Sequence, residues 1–140
     1  MCNFTTSSDV RSSFTGFFII PDFDLNIMKQ NQNLTNLTSS ILIEMNKVFT
    51  KFTPDMLLVH GDTTTTMAAS ISGFYSGAKV CHVEAGLRTY NLLSPFPEEM
   101  NRQVVSRIAN LHFSPTLLAK NNLMKEGIKE ANIYVTGNTV

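Results

Sequence analysis

The sequence predicts a doubly wound α/β domain built on a parallel sheet. Short apolar runs alternate with helical patterns at close spacing. Those runs are continuously apolar, as in strands covered on both faces, and each stops abruptly at polar residues. At 140 residues the chain is long enough for one ordinary domain with a real core. A hydrophobic fraction of 43% against 16% charged residues describes a globular chain.

The elements follow in order. Residues 1–20 show no clean period: "TTSSDVRSS" is small and polar, "FTGFFII" strongly apolar. "PDFDLNIMKQNQN" reads as a loop, with Asn33 or the residue before it as a helix N-cap. Leu34, Leu37, Ile41, Met45, Val48 and Phe52 then recur at helical spacing until Pro54 stops the helix. Met56–Val59 is a short strand ending at "HGD". "TTTTMAASISGFYSG" is a second helix, closed by Gly77 in a left-handed conformation. "AKVCHVE" is the next strand, followed by the loop "AGLRTYNLLSPFP" and a third helix from about Glu98 to Asn110. "LHFS" is a strand, and "PTLLAKNNLMKEG" a helix with Pro115 near its first turn and Gly127 past its end. "NIYVTGN" is the last strand. A domain seldom stops on a strand and its turn, so a truncated parent is expected.

Charge narrows the function classes. Eleven basic and eleven acidic residues cancel, which gives no footprint for nucleic acid or a membrane surface. No apolar run approaches the length of a membrane span. Cys2 and Cys81 fit neither a disulfide framework nor a metal motif. Glycosylation sequons at Asn3, Asn33 and Asn36 matter only in a secreted chain, and the N-terminus lacks the pattern of a signal peptide. The expected compartment is the cytoplasm.

Ligands of open α/β sheets bind beyond the carboxyl ends of the strands. Asp62 follows one strand, Glu84 ends the next, and Glu98 opens a helix after "SPFP", so three carboxylates can converge on one crevice. Asp62 also suits an N-cap, and Glu98 and Glu99 suit first-turn acids that complement a helix dipole. Glu84, before a glycine turn, has no such local role. Thr63 to Thr66 either cap their own helix or face an anionic ligand, while Gly61 permits close backbone approach. His60-x-Asp62 and His82-x-Glu84 offer paired metal ligands in principle. Histidines inside apolar runs are more often satisfied core imidazoles, so no metal is expected. Arg88 and Arg102 flank the same region, where either can pair with a carboxylate or bind substrate.

"VHGDTTTTMAA", "HVEAGLRT", "SPFPEEMNR", "HFSPT" and "VTGNTV" occur in this order and spacing. Together they closely resemble the non-hydrolysing UDP-N-acetylglucosamine 2-epimerases of bacteria, from about Pro21 to Val140. The resemblance implies a single, partial Rossmann-like domain over residues 1–140, the incomplete N-terminal half of a two-domain glycosyltransferase-B-like fold. The family's first strand, loop and helix and its whole second domain have no counterpart here. It implies interconversion of UDP-N-acetylglucosamine and UDP-N-acetylmannosamine by elimination and re-addition of UDP, without a cofactor, in a homodimer that supplies polysaccharide precursors. Asp62, Glu84 and Glu98 match the family's proton-transfer and sugar-binding face, with Gly61, Thr63, Arg88 and Arg102 as substrate-binding candidates. Gln32 matches a position tied to regulatory binding of a second substrate molecule. With one wall of the cleft encoded, the isolated chain is expected to be inactive and poorly soluble. A catalytically inactive remnant acting as a binding or dimerising module, and a hydrolysing relative, are the alternatives.

Overall fold

The computed structural model describes residues 4–5 and 21–138. In chain order the elements are β1 (Phe4–Thr5), β2 (Phe23–Asp24), α1 (Leu34–Lys51), β3 (Met56–His60), α2 (Thr64–Ser76) and β4 (Lys79–Val83). α3 (Glu98–Ile108), β5 (Leu111–Ser114), α4 (Leu117–Lys125), a 3-10 turn (Glu130–Asn132) and β6 (Ile133–Val135) complete it. β3, β4, β5 and β6 form one parallel sheet in that order, while β1 and β2 pair in parallel as a second, two-stranded one.

Local chemistry explains the helix boundaries. Asn33, Thr63 and Thr116 each accept a hydrogen bond from the backbone N–H three residues on, at 2.8, 3.2 and 3.1 Å. Such caps contribute about 1 kcal/mol each. Gly77 closes α2 at φ 82° in the left-handed region, where a side chain would be strained. The α1 stripe buries Ile41, Met45 and Val48, whereas its end residues Leu34 and Phe52 stay largely exposed. "PDFDLNIM" is not wholly a loop, since Phe23 and Asp24 pair with Phe4 and Thr5. The readings of "TTSSDVRSS" and "FTGFFII" fall mainly on residues 6–20, outside the described residues.

Strand order following chain order has a consequence for cover. Right-handed crossovers stepping one way across a sheet put every helix on the same face. The register brings Val59, His82, His112 and Ile133 side by side across that face, all buried. On the opposite face Met56 and Leu58 are 49% and 53% exposed. The parallel α/β architecture expected from the sequence is thus borne out, and among the described residues the helices line the Val59 face of the sheet. The main core joins α1, α2 and α3 to β3 and β4 through Ile41, Met45, Leu57, Val59, Met67, Val80 and Val105. A smaller cluster of Ala85, Leu123 and Ile133 seats α4.

Cys81 lies inside β4 with 2% exposure, and burial pushes its thiol pKa up against the opposing pull of Lys79. At neutral pH, alkylation of Cys81 is expected only after unfolding, read by mass spectrometry of its peptide with and without denaturant.

Candidate active site

The carboxyl rim of the sheet is built on glycine and strain. Gly61 continues the ladder beyond β3 by donating to the Val83 carbonyl at 3.0 Å. It sits at φ 74°, and a Cβ there would lie 3.4 Å from the Glu84 carboxylate. Glu84 itself holds φ 68°, a left-handed conformation that costs a non-glycine residue roughly 1 kcal/mol or more. Such outliers collect where a side chain must be aimed rather than packed. Here the turn carries the Glu84 side chain, 36% exposed, beside Gly61, with its carboxylate 3.9 Å from His60 Nε2. His60 ends the exposed side of β3, so the expectation that it sits in the core fails: the strand's alternation turns it away.

Asp62 is held by α3. Arg102 donates to its carboxylate at 2.7 Å, and the Asn101 side-chain amide donates to its backbone carbonyl at 2.8 Å. Its side chain remains 30% exposed. The N-cap of α2 is Thr63, one residue later, so Asp62 is released from the capping role that its position suggested. Thr66 supports the same turn by donating to the His60 carbonyl at 2.6 Å. Thr63 and Thr66 thus bond to their own helix start, and the Thr63 hydroxyl oxygen is already engaged as the cap. Glu98 begins α3, half-buried, four residues before Arg102 and hence on the same helical face. Asp62 and Glu84 thus flank Gly61 at one rim, and Glu98 stands one helical turn before the Arg102 that grips Asp62.

Glu99, next to Glu98, is fully buried. It accepts from the backbone N–H groups of Thr89 and Tyr90 at 3.1 and 3.0 Å and from Gln103 at 2.8 Å, and lies 3.4 Å from Arg102. Burial by itself would raise its pKa; the bonds from Gln103, Thr89 and Tyr90 and the Arg102 charge outweigh burial and hold it below the usual carboxylate value.

Of the two roles that the sequence left open for Arg88, the structure shows the carboxylate pair. Its side chain has no exposure and forms a two-pronged pair with Glu126, at 2.6 and 2.9 Å. It also donates to Ser106 Oγ and to the Leu87 carbonyl, each at 2.7 Å. A guanidinium so occupied ties the loop after β4 to α3 and α4 and offers nothing to a substrate in this conformation. Gln32 accepts from the Lys29 N–H at 3.3 Å, closing a local turn before α1.

Two histidines sit within the buried face below the rim. His82 Nε2 lies 2.8 Å from the Gly61 carbonyl. A carbonyl only accepts, so Nε2 carries the proton and the buried Nδ1 is left without a partner, as is that of His112. Burial pushes both pKa values down, each to about 4. A base lowered in the folded state favours folding fully above its unfolded pKa near 6.5, and that stability drains as pH falls toward 4. Each histidine is expected to lose roughly 2 kcal/mol of stability between neutral pH and pH 5. Urea melts across that range check this, and His112→Gln is expected to flatten the slope.

Set against known proteins, residues 5–140 match the family model described as UDP-N-acetylglucosamine 2-epimerase. The chain belongs to this family. It is 58% identical over 123 residues to the UDP-N-acetylglucosamine 2-epimerase of Bacillus subtilis, covering 88% of this chain and 32% of that protein. A putative UDP-N-acetylglucosamine 2-epimerase of Clostridium acetobutylicum is 57% identical over 124 residues, 89% of this chain and 32% of the relative. The chain thus spans about a third of the length of the curated relatives it matches. The crystal structure of the Neisseria meningitidis UDP-GlcNAc 2-epimerase bound to UDP-GlcNAc superposes with a TM-score of 0.92 at 48% identity, over 99% of this chain and 38% of that one.

Several residues that hold the rim and its loop in place escaped the sequence reading. Glu99 appeared only as a dipole-complementing acid, because two adjacent glutamates at a helix start are indistinguishable until one is seen buried. Asn101 gave no signal, and neither did Glu126, which lies 38 residues from its Arg88 partner.

Proposed function

We propose that this chain supplies the acid-bearing rim on which UDP-N-acetylglucosamine and UDP-N-acetylmannosamine are interconverted. The observation that carries this is the placement of Asp62 and Glu84. They leave neighbouring parallel strands, separated by a residue with no side chain, with both carboxylates partly exposed. Inverting C2 of the hexose requires one group to take its proton and another to return one to the opposite face. In the first half, a carboxylate removes the C2 proton, the C1–oxygen bond to UDP breaks, and a C1–C2 double bond forms. In the second, UDP oxygen adds back to C1 while a carboxylic acid protonates C2. Nothing is oxidised or reduced, which agrees with an expected reaction without a cofactor. Asp62, Glu84 and Glu98 share the proton transfers and sugar contacts, with Arg102 orienting Asp62. Gly61 gives the sugar close access, and Arg88 fixes the loop from within. Four carboxylates, those three and Glu99, against one arginine suit a hexose and proton transfer, so the diphosphate is met by other parts of the family's fold.

The test is a transplant. Residues 21–138 replace the matching segment of the Bacillus subtilis relative, and the chimera is incubated with UDP-N-acetylglucosamine in deuterated water. Formation of UDP-N-acetylmannosamine with deuterium at C2 is the expected result; a folded chimera that forms none sinks the proposal. The isolated chain is expected to form none, since it carries one wall of the cleft. A homodimer and a regulatory role for Gln32 are proposed from the family resemblance, and a cytoplasmic location from the N-terminal sequence. Sedimentation, Gln32→Ala in the chimera and cell fractionation check them in turn.

A further inference from the structure

We propose that Glu99 is the positioning residue of this rim, holding Asp62 through Arg102 and locking that pair to the loop between β4 and α3. The inference rests on the functional reading only in treating Asp62 as a reacting acid. An acid that merely complements a helix dipole stands in solvent, and Glu99 is fully buried. One carboxylate oxygen takes the Tyr90 N–H and the Gln103 amide; the other takes the Thr89 N–H and faces Arg102 Nη1 at 3.4 Å. Arg102 then reaches Asp62 with Nη2, while its buried Nε has no partner. Two carboxylates, one on each terminal nitrogen, therefore set the plane of the guanidinium. A planar guanidinium transmits orientation: moving one carboxylate re-aims the other contact. At the far end of this relay Tyr90 holds φ 60°, a left-handed conformation retained against its strain by the bond its N–H makes to Glu99. Asn101, between the two charged residues on α3, ties the Asp62 carbonyl to the same helix turn.

A purely structural role would steady the loop without reaching Asp62. The isotopically labelled chain distinguishes the two by nuclear magnetic resonance. In the unmodified chain the relay requires slow rotation of the Arg102 guanidinium, seen as separate Nη1 and Nη2 signals; a freely rotating group overturns the proposal without any variant. Glu99→Gln keeps the shape and loses the charge, and Glu99→Asp keeps the charge but withdraws it by one methylene. Each is expected to speed amide exchange at Thr89 and Tyr90 by about tenfold or more and to shift the Gly61 and Asp62 amide signals. Glu126→Gln breaks the other buried carboxylate–arginine pair and is expected to leave those two signals in place. Unmoved Gly61 and Asp62 signals in both Glu99 variants, or an equal movement in Glu126→Gln, overturn the proposal. Turnover of UDP-N-acetylglucosamine by the chimera reports separately: if a folded chimera forms no product, the functional reading fails while the Glu99 comparison still decides the relay.

Discussion

Asp62→Asn and Glu84→Gln, introduced into the chimera, are each expected to lower epimerisation by about 10²–10⁴-fold, the range for losing a positioned general acid or base. Both substitutions preserve shape and remove the basic oxygen, so they test proton transfer rather than space. The amide in Asp62→Asn keeps an oxygen that Arg102 can donate to, although the charge is gone. Because the Asp62 side chain is 30% exposed, its ion pair with Arg102 is screened, and a stability loss of about 1 kcal/mol or less is expected. Thermal melts of the variants should therefore stay close to the parent while turnover collapses. Product analysis sharpens the result, because a variant that blocks only the return of the proton accumulates UDP and the sugar with a C1–C2 double bond, whereas one that blocks proton removal forms neither. Unchanged turnover in either variant removes that residue from the chemistry.

Gly86→Ala is expected to destabilise the fold by about 4 kcal/mol or more, a large share of a typical domain's stability. Gly86 sits at φ 93°, just after the Glu84 turn, where the chain crosses α4. A Cβ there would overlap the Ala119 carbonyl oxygen and lie 2.8 Å from its carbon and 3.1 Å from Leu123 Cγ. None of these can retreat cheaply. Ala119 and Leu123 are buried, and the Asn122 amide already binds the Gly86 carbonyl at 3.0 Å. α4 would have to lift, opening the cluster of Ala85, Leu123 and Ile133. Gly127→Ala separates clash from conformation. Its φ is 84°, yet nothing lies within 4 Å of the added atom, so only the conformational cost of about 1–2 kcal/mol is expected. Chemical denaturation of the two variants side by side is the measurement; equal losses would mean that the backbone overlap is absorbed.

The helices and the strands from Met56 onward were legible because their causes are local, whereas β2 took its shape from pairing with β1. The stripe from Leu37 to Val48, the stop at Pro54, the threonine-capped start of α2 and Gly77 each act within a few residues. Asp62 and Glu84 were legible for the same reason, since the strands ending at His60 and Val83 announce their ends in sequence. Partnerships were not. Nothing near Arg88 reveals that its guanidinium belongs to Glu126, or that of two neighbouring glutamates the second is drawn inside. The cap at Thr63 rather than Asp62 turned on one residue of backbone geometry, and that shift is what leaves Asp62 for Arg102.

The order of residues by itself determined the helices and the strands from Met56 onward, and that Asp62 and Glu84 stand just beyond strand ends. Those are consequences of backbone preference and hydrophobic period. Only the tertiary structure decided that α3 reaches across to grip Asp62 at both its carbonyl and its carboxylate. It alone also decided that two histidines are buried neutral beneath the rim. Each depends on which groups meet after the chain has closed, where desolvation and pairing between residues far apart in sequence set the energy.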